Sequence, residues 1–372
     1  MACEASGRRL RVAVLFGGRS GEHEVSVASA RSVVANLDPE KYDVMLLGIT
    51  KDGRWQLPAE SQKALTEGPA RAPGASAILP ADYHAGGILR LGGNGSPSTA
   101  PIDVVIPVLH GTYGEDGTVQ GLLDLAGLPY VGAGVLGSAV GMDKVVMKTL
   151  FRAAGLPVPD FVSFKRHEWQ ADPDSLRKRI AEELGYPCFV KPANLGSSVG
   201  ISKVCDETEL DAAIDLAAEY DLKVIVERSV QNAHELECGV LGNDDPQASV
   251  VGEVIPSRDF YSYEAKYIDD KSEVIIPADL PEDLSEQIRA LSVRAFQVAE
   301  CAGLARVDFL VTRDTHEVFV IEINTLPGFT QISMYPKLWE ASGVSYRELI
   351  DRLIELALEH HAQRESLRTS YT

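Results

Sequence analysis

The run Leu10–Phe16 (LRVAVLF) is apolar at every position except Arg11. Such a strand has no polar face to turn to water, so it belongs in a parallel sheet covered on both sides. Gly17-Gly18 stops it, and Val27, Ala30, Val34 and Leu37 then recur at helical spacing over His23–Leu37. Strands at Tyr42–Ile49 and Ile102–Leu109 complete the outline of an open α/β unit. Between them, Glu67–Ala100 is rich in Gly, Pro, Ala and Ser and lacks periodicity. It is expected to be an irregular insertion with no part in chemistry.

A second constraint lies in Leu304–Pro336, which reads as two strands joined by a polar turn at Arg313–Glu317. With the hairpin centred on Thr315, antiparallel pairing sets Asp308 opposite Glu322 and Arg306 opposite Asn324. All four then project from one face. Apolar Phe309, Val311, Val320, Ile321 and Ile323 surround them. Uncompensated buried charge is costly, so two carboxylates and an amide oxygen beside a guanidinium point to a held cation. Oxygen-only donors suit Mg2+ or Mn2+ rather than zinc. The alternative, an exposed face of solvated charges, is disfavoured by those apolar neighbours.

At 372 residues the chain is long enough for two or three domains. A net charge of −19 argues against nucleic acid or an anionic membrane as the main partner, since both want a basic footprint, while leaving room for a local basic cluster that binds nucleotide phosphates. Cys3, Cys188, Cys205, Cys238 and Cys301 are scattered without a C-x-x-C pair, which fits free thiols in a reducing cytoplasm. The start, MACEASGRRL, has no apolar leader core, and no apolar run approaches the ~20 residues of a membrane span. A soluble cytoplasmic protein is expected.

The chain divides into residues 1–137, 138–230 and 231–372. In the central part, a helix over Met142–Ala154 precedes strands at Cys188–Lys191, Ile201–Val204 and Lys223–Glu227. These alternate with helices at Asp174–Leu184 and Glu207–Ala218, giving a compact α+β segment. The last part carries longer strands, Cys238–Gly242, Ser249–Ile255 and the hairpin, with helices at Glu282–Ala302 and Ser345–His361.

Several loops carry chemistry. Phe189–Gly200 (FVKPANLGSSVG) is a strand, a lysine and a glycine-bracketed Ser-Ser loop. Its N–H groups suit phosphate oxygens and Lys191 supplies a point charge, but it is no Walker loop. Lys144 is either a second phosphate lysine or a solvated helix residue. Glu227–Glu237 (ERSVQNAHELE) is either a nucleotide-reading edge or a charged surface loop. Asp259–Tyr267 (DFYSYEAKY) crowds aromatics with charges, as a lid does. His110–Gly117 follows a parallel strand at the sheet edge where ligands of open α/β folds gather. Glu22 occupies the equivalent place after the first strand, where it either caps a helix or receives an ammonium group. Gly328 permits close backbone approach, and its N–H suits an oxyanion. Ser333 with the next amide suits a carboxylate.

Together these segments resemble the D-alanine–D-alanine ligase family of the ATP-grasp superfamily. The resemblance runs from FGGRSGEHEVS through LHGTYGEDGTVQG, GMDK, VKPANLGSSVG and YEAKY to RVDF, EINTLPGFT and SMYP, and so spans nearly the whole chain. It implies a mixed α/β (α+β), three-domain ATP-grasp architecture with an N-terminal open parallel α/β domain. It also implies ATP-dependent joining of two D-alanines for peptidoglycan synthesis, through a D-alanyl phosphate.

Carried over position by position, Asp308, Glu322 and Asn324 would bind two Mg2+ ions, or Mn2+, bridging the ATP phosphates. Lys144, Lys191 and Lys266 would hold phosphates, with Ser198 in the phosphate loop. Phe189, Phe260 and Ile321 would line the adenine pocket, Glu227 and Val230 would read the adenine edge, and Glu235 would bind ribose. Glu22 would receive the ammonium of the first D-alanine, linked through Ser197 to Tyr267. His110 would lie beside that substrate, with Glu115 in support. Arg306 and the Gly328 amide would stabilise the oxyanion, and Ser333 with the Met334 amide would hold the second carboxylate. The chain departs from the family between Glu227 and Glu235: the gap is one residue longer, and His234 stands where an arginine is usual. A homodimer is the family expectation. The rival within the superfamily is a D-alanine–D-lactate ligase, against which Tyr267 argues, since depsipeptide-forming relatives commonly lack that tyrosine.

Overall fold

The computed structural model describes residues 8–67, 76–91, 98–196, 198–255 and 273–371. Strands β1 (Leu10–Gly17) and β2 (Tyr42–Ile49) are followed by β3 (Ser76–Ile78), β4 (Gly87–Leu91), β5 (Ser98–Pro101) and β6 (Val104–Val108). β2, β1 and β6 form the expected parallel sheet, with β1 in the middle and buried from Val12 to Phe16. The stretch expected to be irregular instead contributes β3, β4 and β5, a small antiparallel sheet. Its buried Ala77, Ile88 and Ala100 join the core cluster that holds Leu15 and Val105. Its apolar residues are too few and too separated for a periodicity to be read.

The central sheet comprises β7 (Phe161–Lys165), β8 (Cys188–Pro192), β9 (Ser202–Val204) and β10 (Lys223–Arg228), in the order β7-β10-β8-β9. One face packs Val162, Val190, Val224 and Val226 against the helices Pro173–Glu183 and Glu207–Tyr220. The other face carries Phe189, Lys191 and Glu227.

The third sheet comprises β11 (Ala233–Gly242), β12 (Gln247–Ile255), β13 (Glu273–Ile275), β14 (Gly303–Thr312) and β15 (Val318–Asn324), in the order β13-β12-β11-β14-β15. Leu236, Cys238, Val307, Phe309 and Val320 face the helix Glu282–Val298. The same core takes in Met147 and Phe151 of the helix Lys144–Ala153.

The helix expected over Met142–Ala154 is Lys144–Ala153, and a separate helix, Val135–Met142, runs up to it. Asp143 takes an extended conformation, ψ 99°, between Val135–Met142 and Lys144–Ala153, and its carboxylate accepts from the N–H groups of Val145 and Val146. An aspartate is well suited to this capping position. The last helix, Tyr346–Glu365, packs Leu349, Ile350, Leu353 and Ile354 against Val12, Val14 and Val104 of the first sheet.

Candidate active site

Asp308 lies opposite Glu322, and Arg306 opposite Asn324, as the hairpin reading requires. The Thr315-centred register behind that reading holds only at this end. From Phe309 to Val311 the partners are Val320, Phe319 and Val318, one residue out of step. A β-bulge at Ile321 restores the register beyond it. The extra residue also alters the alternation: Val320 and Ile323 are buried, whereas Ile321 and Glu322 are both half-buried. A regular strand would send Ile321 and Glu322 to opposite faces; the bulge lets both reach one side.

Arg306 closes on this face. Its Nε donates to Asp308 Oδ1 at 2.7 Å and its Nη2 to Oδ2 at 2.6 Å. Burial favours loss of the guanidinium proton, but Asp308, Glu237 and Glu322 outweigh it and hold the group well above its usual value. A buried positive charge already rests among these carboxylates, so their field suits a cation. Asp308, Glu322 and Asn324 offer only oxygen donors, the set a hard divalent ion prefers.

The chain after β15 is held by the N-terminal part. His110 Nδ1 lies 3.1 Å from the Leu326 carbonyl oxygen, which can only accept, so Nδ1 carries the proton. Burial pushes this imidazole below its ordinary value, so the neutral ring leaves Nε2 to accept from the Ser29 hydroxyl at 3.2 Å. Ser29 Oγ in turn accepts the Phe329 N–H at 3.2 Å. Tyr346 donates to the Phe329 carbonyl. Gly328 is thus fixed between two tethered neighbours. A Cβ at Gly328 would lie 3.0 Å from Ser333 Oγ, so the expected oxyanion amide and carboxylate seat adjoin. Ser333 stands at the N-cap of the helix Met334–Ala341 without capping it through its side chain; its hydroxyl meets Thr330 Oγ1 at 2.8 Å. Met334 is buried behind it.

Glu22 occupies the cap position of the helix His23–Asn36 but makes no side-chain capping bond, which removes the capping reading. It lies between two loops: a Cβ at Gly111 would come within 2.7 Å of its Oε2, and one at Gly196 within 3.1 Å. Glu115 accepts the Gly111 N–H at 2.5 Å. Burial, then the charge of Glu22, pushes Glu115 well above the ordinary glutamate range. The first-domain loops and the Gly/Ser loop therefore converge on Glu22.

Lys144 is buried rather than solvated, and its Nζ donates to the Leu195 carbonyl at 2.6 Å, holding the start of the Gly/Ser loop. Ser198 adopts a left-handed φ of 58° in that loop. Lys191 Nζ donates to Glu227 Oε2 at 2.8 Å and lies 5.7 Å from the Phe189 ring centroid. Glu227 is buried, which removes the surface-loop reading for this residue. Burial alone would raise its carboxyl, but Lys148 and Lys191 together pull it below its ordinary value. Burial likewise opposes the charge on Lys191, yet Glu227 holds that lysine above its usual value. Glu322 acts electrostatically on Glu115, Lys148, Lys191 and Arg306, so these groups share one field.

Val230 is half-buried at the end of the central sheet. Between Glu227 and Glu235, Asn232 adopts a left-handed φ of 48°. Glu235 shares a strand face with Glu237. His234 points away and meets Glu253 Oε1 at 2.6 Å, with Arg313 3.3 Å from the same oxygen. Ser197, Phe260, Lys266 and Tyr267, with the whole candidate lid Asp259–Tyr267, lie outside the described residues.

Two charged residues escaped the sequence reading. Lys148 is fully buried, with Nζ 3.3 Å from Glu227 Oε1. Glu237 is buried, with Oε2 2.8 Å from Arg306 Nε. A signal existed for Lys148, because Lys144, Met147, Lys148 and Phe151 make one helical face.

Two family models match the chain. Residues 11–133 match the model of the D-ala D-ala ligase N-terminus, and residues 150–355 that of the D-ala D-ala ligase C-terminus. A D-alanine–D-alanine ligase of Deinococcus radiodurans is 53% identical over 350 residues, covering 94% of this chain and 98% of the relative. One from Thermoanaerobacter sp. is 52% identical over 355 residues, covering 95% and 98%. Among solved structures, the D-alanine-D-alanine ligase from Coxiella burnetii superposes with a TM-score of 0.82 at 38% identity, covering 96% of each chain. The VanG D-Ala:D-Ser ligase from Enterococcus faecalis superposes with a TM-score of 0.84 at 37% identity, covering 94% of this chain and all of that one. The fold is that of an ATP-grasp enzyme, and the chain belongs to the D-alanine–D-alanine ligase family.

Proposed function

We infer that this protein joins two D-alanines into D-alanyl-D-alanine with cleavage of ATP to ADP, and so supplies a peptidoglycan precursor. The observation that carries the reading is the hairpin face of Asp308, Glu322, Asn324 and Arg306, followed directly by the tethered Gly328–Ser333 segment. Family membership brings ATP use and a general need for metal ions. Two divalent ions on this face would screen the repulsion between phosphate and an attacking carboxylate.

The chain's own groups divide the remaining work. Lys191 and Lys144 supply positive charge near the Gly/Ser loop, and Ser198 lies within that loop. Phe189 and Ile321 offer apolar surface for the base, Glu227 and Val230 its polar edge, and Glu235 a carboxylate for ribose. Phe260, Lys266 and the Tyr267–Ser197 link complete the set by family resemblance. Glu22, flanked by neutral His110 and by Glu115, receives the first ammonium. Arg306 and the Gly328 N–H face the developing oxyanion, while Ser333 and the Met334 N–H hold the second carboxylate.

The parallel sheet with its small antiparallel companion, the central sheet and the β11–β15 sheet support division into 1–137, 138–230 and 231–372. We place the enzyme in the cytoplasm as a homodimer; Leu125 and Leu136, 63% and 60% exposed, offer apolar surface for a partner copy. Among the described residues no helix is long and apolar enough to cross a membrane.

The test is phosphate release from ATP and Mg2+ with D-alanine, followed by product analysis with D-alanine, D-serine and D-lactate together at neutral pH. D-alanyl-D-alanine should dominate. A depsipeptide or D-alanyl-D-serine as main product would overturn the assignment, the latter outcome being raised by the D-Ala:D-Ser relative. Sedimentation measures the assembly state.

A further inference from the structure

Glu237 has no role in the reading above. On β11 it faces Asp308, which faces Glu322 on the far side; in the next row Gly239 faces Arg306, which faces Asn324. Arg306 is therefore diagonal to Glu237, and its Nε is 2.8 Å from Glu237 Oε2 and 2.7 Å from Asp308 Oδ1. Two carboxylates lie at nearly equal reach of this one nitrogen, whose hydrogen bond goes to Asp308. Both acids are shielded from water, with side chains 9% and 17% exposed, and the Arg306 side chain is 14% exposed.

The second acid matters because Asp308 would have two demands upon it. Arg306 occupies both of its oxygens in a bidentate pair. A divalent ion arriving at Asp308 repels the guanidinium and draws on the same carboxylate charge. With Asp308 as the only acid in reach, each cation would bind at the other's expense, since a buried cation stripped of its partner is strongly unfavourable. A second acid within hydrogen-bonding distance of the same Nε removes that conflict. The guanidinium needs only a small rotation to exchange one for the other.

We propose that Glu237 is a positioning residue that takes over Arg306 when a divalent cation engages Asp308, so that cation and guanidinium are held together on one strand face. This rests on the cation reading of Asp308, and the test separates the two.

Mn2+ is titrated into protein saturated with a non-hydrolysable ATP analogue, without D-alanine, and bound ion is read by electron paramagnetic resonance, so turnover plays no part. Glu237→Gln leaves Arg306 committed to Asp308 and should weaken Mn2+ binding about tenfold. Adding Arg306→Met removes the competitor and should restore affinity to within about twofold of the wild type. Glu237→Asp, with its shorter reach, should show a smaller loss that Arg306→Met also removes, and it serves if the glutamine variant does not fold. Unchanged Mn2+ affinity in both Glu237 variants overturns the handover. A loss that persists after Arg306→Met also overturns it, because Glu237 would then act on the ion directly. If Asp308→Asn binds Mn2+ as the wild type does, the cation reading of the hairpin fails instead.

Discussion

Lys148 Nζ sits 3.3 Å from Glu227 Oε1, and both side chains are almost wholly withdrawn from solvent. Glu227 is also bound by Lys191, so one acid neutralises two lysines, Lys148 fully buried and Lys191 partly so. Removal of the acid should therefore be worse than removal of either base. Glu227→Gln leaves two cations facing each other and should cost at least the ~3–5 kcal/mol of a broken buried pair. Lys148→Met leaves Glu227 paired with Lys191, and should cost about 1.5–3 kcal/mol, as for loss of one charged hydrogen bond. Urea unfolding of both variants gives the order, and the reverse order would refute the sharing.

Ser29 joins the His110 ring to the Phe329 amide. Ser29→Ala leaves the Phe329 N–H and the His110 Nε2 without that partner in a buried place, at a cost of about 1–3 kcal/mol. It should also slow turnover by loosening Gly328. Denaturant unfolding and a rate assay on one preparation measure the two effects.

Glu115 gives a pH signature of definite sign. Its folded value lies well above the ordinary 4.5, so the folded protein binds this proton more tightly than the unfolded chain does. Its contribution is complete below 4.5 and is lost as pH rises towards the folded value. Glu115→Gln has no such proton to lose and keeps an oxygen for the Gly111 N–H. The variant should gain stability relative to the wild type as pH rises above the ordinary glutamate range, read from urea midpoints at successive pH values. A constant difference would argue against the raised value.

Glu322→Gln keeps the shape of β15 but halves the carboxylate charge of the cation face. Turnover should fall by more than ~100-fold, with the far-UV circular dichroism unchanged, as expected when several kcal/mol of charge stabilisation are lost. Near-normal turnover would count against the metal assignment.

The sequence carried the local geometry well. Centring the hairpin on Thr315 set Asp308 against Glu322, a pairing that holds through the bulge at Ile321, and the apolar run at Leu10 was enough to predict a doubly covered strand. The bulge was not visible, because Ile321 in a row of β-formers leaves no trace of where an extra residue is absorbed. Glu237 was hidden for another reason: its neighbour Asp308 is 71 positions away, and which strand flanks β14 is decided by the whole sheet. Lys148 was legible in principle, since its helical spacing puts it with Met147 and Phe151. It went unread because a lysine on an apolar face is ordinarily discounted.

The helix Tyr346–Glu365 contributes Leu349, Ile350, Leu353 and Ile354 to the core that includes Val12 and Val14. On it, Asp351 accepts from Lys41 at 2.7 Å and from the Tyr42 hydroxyl at 2.7 Å. During synthesis the first sheet leaves the ribosome long before this helix exists. One wall of its core must then wait, exposed, until nearly the whole chain has been made. The nascent amino-terminal segment therefore keeps apolar surface open until Tyr346–Glu365 docks on it.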